Sequence, residues 1–363
     1  MSPRAAQSPI ATAIVKWHAE HGRHDLPWQH DRTPYRVWIS EIMLQQTQVS
    51  TVIPYYERFM SRFPNATALA DAPIDDVLHL WTGLGYYARA RNLHRAAIRM
   101  RDEFGGDFPR TFDEVASLPG IGRSTAGAIL ALSRRERFPI LDGNVRRVLS
   151  RFFGIEGDLT ERAAVETLWE LSDDCTPHES VDVYTQAIMD IGATVCTRRN
   201  PLCAFCPLAS GCEAKKLGKQ HEIPAPKKVK AARRERRVFM LVAQREDDSI
   251  LLERRPDSGV WGGLWCLPEF DTESAARSFA TQSLHLPQPE PRHLDLIEHA
   301  FTHFDLVVTP LLTRCEGPVG VSDAPRSLWY NPRRPARIGL PAPIKTLLEG
   351  LTGPTMFDER ASG

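Results

Sequence analysis

The stretch running from Leu118 to Ile129, LPGIGRSTAGAI, sits between two segments of helical period. Pro119 stops the first segment, and Gly120 and Gly122 let the backbone turn tightly. The main-chain N–H groups opening the next helix then face outward with the helix dipole behind them, a geometry suited to phosphate. A Gly-x-Gly alone is more often a plain connection, so the flanking sequence has to decide. About twenty residues on, PILDGNVRRVLSRFFG places Asp142 at the end of an extended stretch, with Arg146 and Arg147 one turn beyond.

Working outward, the text keeps a helical period from about Ile10 to about Ala214. TFDEVASL opens on Thr111 with Glu114 three places later, the capping-box pattern. RSTAGAILALS, LDGNVRRVLSRFF, TERAAVETLWELS and VDVYTQAIMDIGATVC repeat apolar residues at three- and four-residue spacing. An all-α domain over residues 1–220 is the economical reading. Residues 221–236, HEIPAPKKVKAARRER, are rich in Pro, Lys and Arg without an apolar period, and read as a basic linker. Over 237–350 the pattern becomes short apolar runs, RVFMLVAQ, ILLERR and HLDLIEHAFTHFDLVVTPLLTR. Two helix-like segments, ESAARSFATQSL and PAPIKTLLEG, complete a smaller α+β domain, and 351–363 reads as a flexible tail.

The 363 residues carry 45 basic and 45 acidic side chains, so nucleic-acid affinity would have to come from local clusters of Arg and Lys. No apolar run reaches membrane-spanning length, and the first residues lack the apolar core and cleavage site of a signal peptide. A cytoplasmic monomer with no membrane association is expected. Four of the seven cysteines crowd into CTRRNPLCAFCPLASGC as Cys196, Cys203, Cys206 and Cys212, spaced C-x6-C-x2-C-x5-C. Four thiolates in so short a loop suit tetrahedral zinc or an iron–sulfur cluster, and spacing does not choose between them. Arg198 and Arg199 put positive charge on this loop, which suits phosphate.

In RVWISEIMLQQTQV, Val37, Trp38, Ile42 and Gln45 fall around one side of a helix with Glu41 among them. A carboxyl group stands where a core residue is expected. It is either a helix edge turned to water or a functional acid.

The hairpin, the aspartate segment and the four-cysteine loop, in this order and spacing, resemble the helix-hairpin-helix superfamily of DNA glycosylases with an iron–sulfur cluster. Within it, SEIMLQQTQV and WTGLGYYARARNLHRAA resemble the MutY family, adenine DNA glycosylases that remove adenine mispaired with 8-oxoguanine or guanine. The resemblance implies double-stranded DNA carrying that mispair as substrate, and one 4Fe-4S cluster on the four cysteines. It implies that Glu41 protonates adenine and then helps activate water, while Asp142 stabilises the oxocarbenium ion or traps it covalently. Burial beside Trp38 and Ile42 would raise the pKa of Glu41, and Asn144 with the following helix start would help keep Asp142 ionised. Gln45, Gln46 and Tyr86 would work at the opened base stack. Gly120, Gly122, Arg89, Arg198 and Arg199 would meet the DNA backbone, and the hairpin carbonyls would hold a monovalent cation.

Lyase members of the superfamily use a lysine in the second hairpin helix, where this chain has Ser124. No lysine occurs between Lys16 and Lys215, and a guanidinium is too basic to replace the amine. This opposes the alternative of an endonuclease III-like glycosylase/AP lyase. A second alternative, a non-catalytic DNA-binding scaffold, is opposed by the presence of both acids.

SGVWGGLWCLPEF resembles part of a Nudix fold. The helix that should then carry several magnesium-binding glutamates, DTESAARSFATQSL, has Glu273 alone. The match is instead to the MutY lesion-recognition domain, whose sensing loop corresponds to Phe301, Thr302 and His303. The family usually has Ser where this chain has Thr302. The linker is a candidate contact for other repair or replication proteins.

Overall fold

The computed structural model describes residues 8–225, 234–286, 290–301, 303–315 and 326–351. Half of the basic linker (226–233), Thr302 and the tail beyond residue 351 lie outside the described residues. The helices are α1 (Pro9–His21), α2 (Pro34–Leu44), α3 (Val49–Arg62), α4 (Ala66–Ala70), α5 (Ile74–Trp81), α6 (Ala88–Phe104) and α7 (Phe112–Ala116). They continue as α8 (Arg123–Arg134), α9 (Gly143–Phe153), α10 (Arg162–Cys175), α11 (Val181–Asp190) and α12 (Glu213–Lys216). The last two are α13 (Glu273–Ser283) and α14 (Ala342–Gly350). None among the described residues is long and apolar enough to cross a membrane.

Local chemistry sets several helix starts. Thr33 caps α2 ahead of Pro34, and Thr111 and Glu114 close the expected capping box on α7. Asp142 caps α9, its carboxylate accepting from the Val145 N–H at 2.8 Å. In this helical unit α8 packs against α2, α7 and α11, and α11 also packs on α1 and α9. Ile10, Ile14, Val145, Leu149, Ile188 and Ile191 interlock as part of its core.

The strands are β1 (Arg234–Arg245), β2 (Ile250–Arg254), β3 (Trp265–Cys266), β4 (Glu269–Phe270), β5 (Arg292–His293), β6 (Ile297–Ala300), β7 (Phe304–Cys315) and β8 (Ser327–Tyr330). They form one mixed sheet ordered β3-β2-β1-β7-β5, with β4 on β1, β6 on β7 and β8 on β2. The long central pair β1 and β7 is parallel, Arg234 facing Phe304 and Arg245 facing Cys315. Ala276, Ala280 and Leu284 of α13 and the residue after it pack on Leu241, Ala243, Leu251 and Leu311. The run HLDLIEHAFTHFDLVVTPLLTR is broken into β6 and β7 by a tight reversal, in which the Phe301 N–H donates to the Phe304 carbonyl at 2.9 Å.

Packing divides the chain into two compact units, the first Met1–Asp71 with Asn92–Val229, the second Ala72–Arg91 with Lys230–Gly363. The helical segment Ala72–Arg91 therefore belongs with the sheet. The Trp265 indole donates to Asp75 at 3.2 Å and the Tyr87 hydroxyl to the Leu340 carbonyl at 3.1 Å. Gly339 makes the close approach possible, because a Cβ there would stand 2.5 Å from Leu78 Cβ.

Candidate active site

A cleft of about 1020 Å³ opens in the helical unit, and Glu41, Gln45, Gln46, Ser124, Asp142 and Asn144 all line it. Glu41 projects from α2 beside fully buried Trp38 and nearly buried Ile42. Burial pushes its carboxyl up to about 8, and the charge of Asp142 adds to the effect. Among the described residues, neither a cation nor a hydrogen-bond donor offsets these. The group holds its proton at neutral pH.

Asp142 has different surroundings. Burial raises it as well, but the N–H groups of Val145 and Asn144 and the guanidiniums of Arg147 and Arg146 favour its anion. A helix N-cap thus supplies donors that Glu41 lacks, and they offset part of the rise that burial imposes on Asp142. Ser124 supports this position: its hydroxyl oxygen accepts the N–H of Leu141, the residue before Asp142, at 2.9 Å. Asn144 acts indirectly, its side-chain oxygen accepting from Arg147 at 2.8 Å. Arg147 also donates to the carbonyls of Gly192 at 2.6 Å and Cys196 at 2.7 Å.

At the hairpin only Gly120 requires glycine. It sits at φ +81, where a Cβ would stand 2.8 Å from Asn92 Cβ. Gly122 corrects the expectation of a second strained turn position, because it caps α8 at φ −96 with open space where a Cβ would lie. What it leaves bare is the approach to the α8 N-terminus.

Gln46 adopts a left-handed conformation, φ +58, just beyond the end of α2. In the sheet unit, Tyr86 is also left-handed at φ +50 and is half exposed. Arg89, expected at the DNA backbone, is turned inward in this structure. It is buried, its guanidinium donates to the carbonyls of Leu84 at 3.3 Å and Gly85 at 3.2 Å, and it lies against the Trp81 and Tyr86 rings. Its charge braces the turn that displays Tyr86. Arg198 and Arg199 present exposed side chains. Phe301 packs among Trp261, His299 and Phe304, with ring centroids 4.7–5.7 Å away, and His303 is exposed beside it.

Cys196, Cys203, Cys206 and Cys212 line a single cavity, with Arg151 on its wall. Among the described residues no three His, Cys, Asp or Glu converge tightly enough to hold one metal ion. Arg151, nearly fully buried, ties the loop to α9 by donating to the carbonyls of Thr197 at 2.7 Å and Ile223 at 2.7 Å, and to the Cys196 sulfur at 3.3 Å.

Sequence reasoning missed a charged cluster next to the acids. Fully buried Asp190 receives the Arg23 backbone N–H at 2.8 Å, the Arg23 guanidinium at 2.6 and 2.9 Å, and the Gln186 amide at 2.8 Å. Arg23 and Gln186 line the cleft. The signal was available, since AIMDIG sets an acid among apolar residues as SEIML does.

Comparison with known proteins agrees with this architecture. Residues 39–173 match the model of the HhH-GPD superfamily of base excision DNA repair proteins, and residues 238–350 match the NUDIX domain. An adenine DNA glycosylase of Buchnera aphidicola subsp. Schizaphis graminum is 40% identical over 337 residues, 93% of this chain and 96% of that protein. The adenine DNA glycosylase of Homo sapiens is 33% identical, over 86% of this chain and 68% of its own length. A thermostable thymine-DNA glycosylase superposes with TM-score 0.53 at 27% identity, covering 57% of this chain and 95% of that one.

The class defined by fold and cleft is therefore a helix-hairpin-helix DNA repair glycosylase, a hydrolase of N-glycosidic bonds acting on DNA. Within that class, the chain belongs to the adenine DNA glycosylase family.

Proposed function

We propose that the chain excises adenine paired with 8-oxoguanine, and with guanine, from double-stranded DNA by hydrolysis, leaving an abasic site. The observation that carries the reading is the Glu41 carboxyl, pushed up to about 8 on the wall of a cleft that it shares with Asp142. Adenine leaves poorly as an anion. A carboxyl group protonated at neutral pH can give its proton to a ring nitrogen as the bond to the sugar breaks. Positive charge then grows on the deoxyribose, and the Asp142 carboxylate stabilises it. The Glu41 carboxylate left behind takes a proton from the attacking water and returns to its starting state, as in glycoside hydrolysis by paired acids.

The base must leave the stack to reach the cleft. Gln45 and Gln46, which line the cleft, and the half-exposed Tyr86 would fill the gap. The α8 N-terminus behind Gly122, with Arg198 and Arg199, offers phosphate contacts. Phe301 and His303 would meet the base opposite adenine. Strand cleavage by an amine is not part of the reading, because no lysine lines the cleft among the described residues.

A donor set of four thiols around one cavity fits a 4Fe-4S cluster on Cys196, Cys203, Cys206 and Cys212. Bound there, the cluster would cross-link the loop through four thiolate bonds. An absorbance spectrum of anaerobically purified protein checks it: a broad visible band is expected, and a colourless zinc-loaded protein would refute it.

The decisive assay uses duplexes bearing adenine opposite 8-oxoguanine, scored for base release with and without alkali. Release with strand breaks only after alkali is expected. Breaks without alkali, or no release at all, would overturn the assignment.

A further inference from the structure

The sheet unit joins two surfaces that the proposed function treats separately, the Tyr86 turn and the hairpin carrying Phe301 and His303. Between them lies the turn Asp257–Leu264. It is knit together by the Gly263 N–H to the Pro256 carbonyl at 3.0 Å and the Leu264 N–H to the Trp261 carbonyl at 3.0 Å. It is also crowded against itself, since a Cβ on Gly262 would stand 2.5 Å from the Asp257 carbonyl oxygen. Trp261 is held at φ +53 within it and is nearly buried.

This turn has partners on two sides. The Trp261 ring packs 5.7 Å from the Phe301 ring and 5.7 Å from the His299 ring, and those two rings meet edge-on at 4.7 Å. The next residue, Gly262, offers its carbonyl to the guanidinium of Arg91. Arg91 stands in the first turn of α6, and its own N–H donates to the Tyr87 carbonyl at 3.1 Å. Tyr87 is pinned in turn, its hydroxyl accepting from the Gly83 N–H at 3.3 Å and donating to the Leu340 carbonyl. The turn that exposes Tyr86 is thus continuous with the seat of Phe301 through Arg91, Gly262 and Trp261.

We infer that Arg91 is a positioning residue for mispair discrimination: by holding Gly262 it sets the Tyr86 wedge in register with the Phe301–His303 hairpin. Contact of the hairpin with the base opposite adenine then bears on the same body that enters the stack. The chain of contacts is short and made of packed rings and one charge-assisted hydrogen bond. The inference rests on the proposed roles of Tyr86 and the hairpin, and adds to them a residue that touches neither base nor phosphate.

The test uses the full chain with Arg91→Met, which keeps the apolar stem and loses the donor, and Arg91→Lys, which keeps one donor. Single-turnover excision is measured on adenine opposite 8-oxoguanine and opposite guanine, with melting temperature as a folding check. For Arg91→Met the preference for the 8-oxoguanine duplex should fall about ten-fold, the size of one lost hydrogen bond from a charged donor. Its rate on the guanine duplex should stay within about two-fold of the unmodified enzyme, and Arg91→Lys should recover most of the preference. Equal loss on both duplexes, or an unchanged preference, overturns the inference. If Phe301→Ala abolishes the preference while Arg91→Met leaves it intact, the coupling fails and the reading of the hairpin stands. If the unmodified enzyme shows no preference, both fall.

Discussion

Replacing Glu41 by Gln should make the protein more stable at alkaline pH while abolishing its activity. In the unfolded chain this carboxyl ionises near its ordinary 4.5, and in the folded protein at about 8. A carboxyl whose folded-state pKa lies above the unfolded one favours folding fully only while it is protonated in both states. That contribution is lost progressively as pH rises from near 4.5 through about 8. The full displacement corresponds to about 4–5 kcal/mol. Solvent in the open cleft screens part of it, leaving about 2–3 kcal/mol. Gln fills the same space without ionising, so the variant escapes the loss. At pH 5 the two proteins should melt together. At pH 9 the variant should melt about 4–12 °C higher, since a domain of this size moves about 2–4 °C per kcal/mol. The same ionisation predicts that excision by the unmodified enzyme falls as pH rises through about 8. Melting curves that stay parallel from pH 5 to pH 9 would refute the burial argument, and normal turnover by Glu41→Gln would refute the role.

Asp142→Asn should lose excision by at least about a thousand-fold in single turnover yet melt within about 2 °C of the parent, because Asn caps a helix nearly as well as Asp. Gly120→Ala should cost about 1–3 kcal/mol in denaturant unfolding, through its positive φ and the Asn92 contact, while Gly122→Ala should cost under about 0.5 kcal/mol. Salt titrations of DNA binding separate the arginines: Arg198→Gln should lower the log–log slope by about one, whereas Arg89→Met should leave the slope alone and lower stability. Asp190→Asn should destabilise the helical unit by about 3 kcal/mol, measured by thermal unfolding, because it strands the Arg23 guanidinium beside a neutral amide.

What could be read from the text depended on how local the cause was. The Thr111–Glu114 capping box is written within a few residues and stands as expected. Glu41 was legible because one helix turn shows that its neighbours are apolar. Arg89 was not, because an arginine at helical spacing does not say whether its guanidinium meets water or the carbonyls of the preceding turn. The membership of Ala72–Arg91 in the sheet unit was hidden for a stronger reason. It rests on pairs such as Asp75 with Trp265, 190 positions apart, and no local period encodes such a meeting.

The two acids of the cleft show how local structure sets acid strength when side-chain type does not. Both are carboxyls, and both are buried enough for desolvation to raise them. Glu41 emerges in the second half of α2, where the surrounding N–H groups are already spent inside the helix and do not answer its charge. Asp142 stands before the first turn of α9, where N–H groups are still unpaired, and it gathers those of Asn144 and Val145 with Arg147 behind them. The difference between the two carboxyls is therefore specified by where each residue falls along its helix, and Ser124 matters because it fixes the chain just before Asp142.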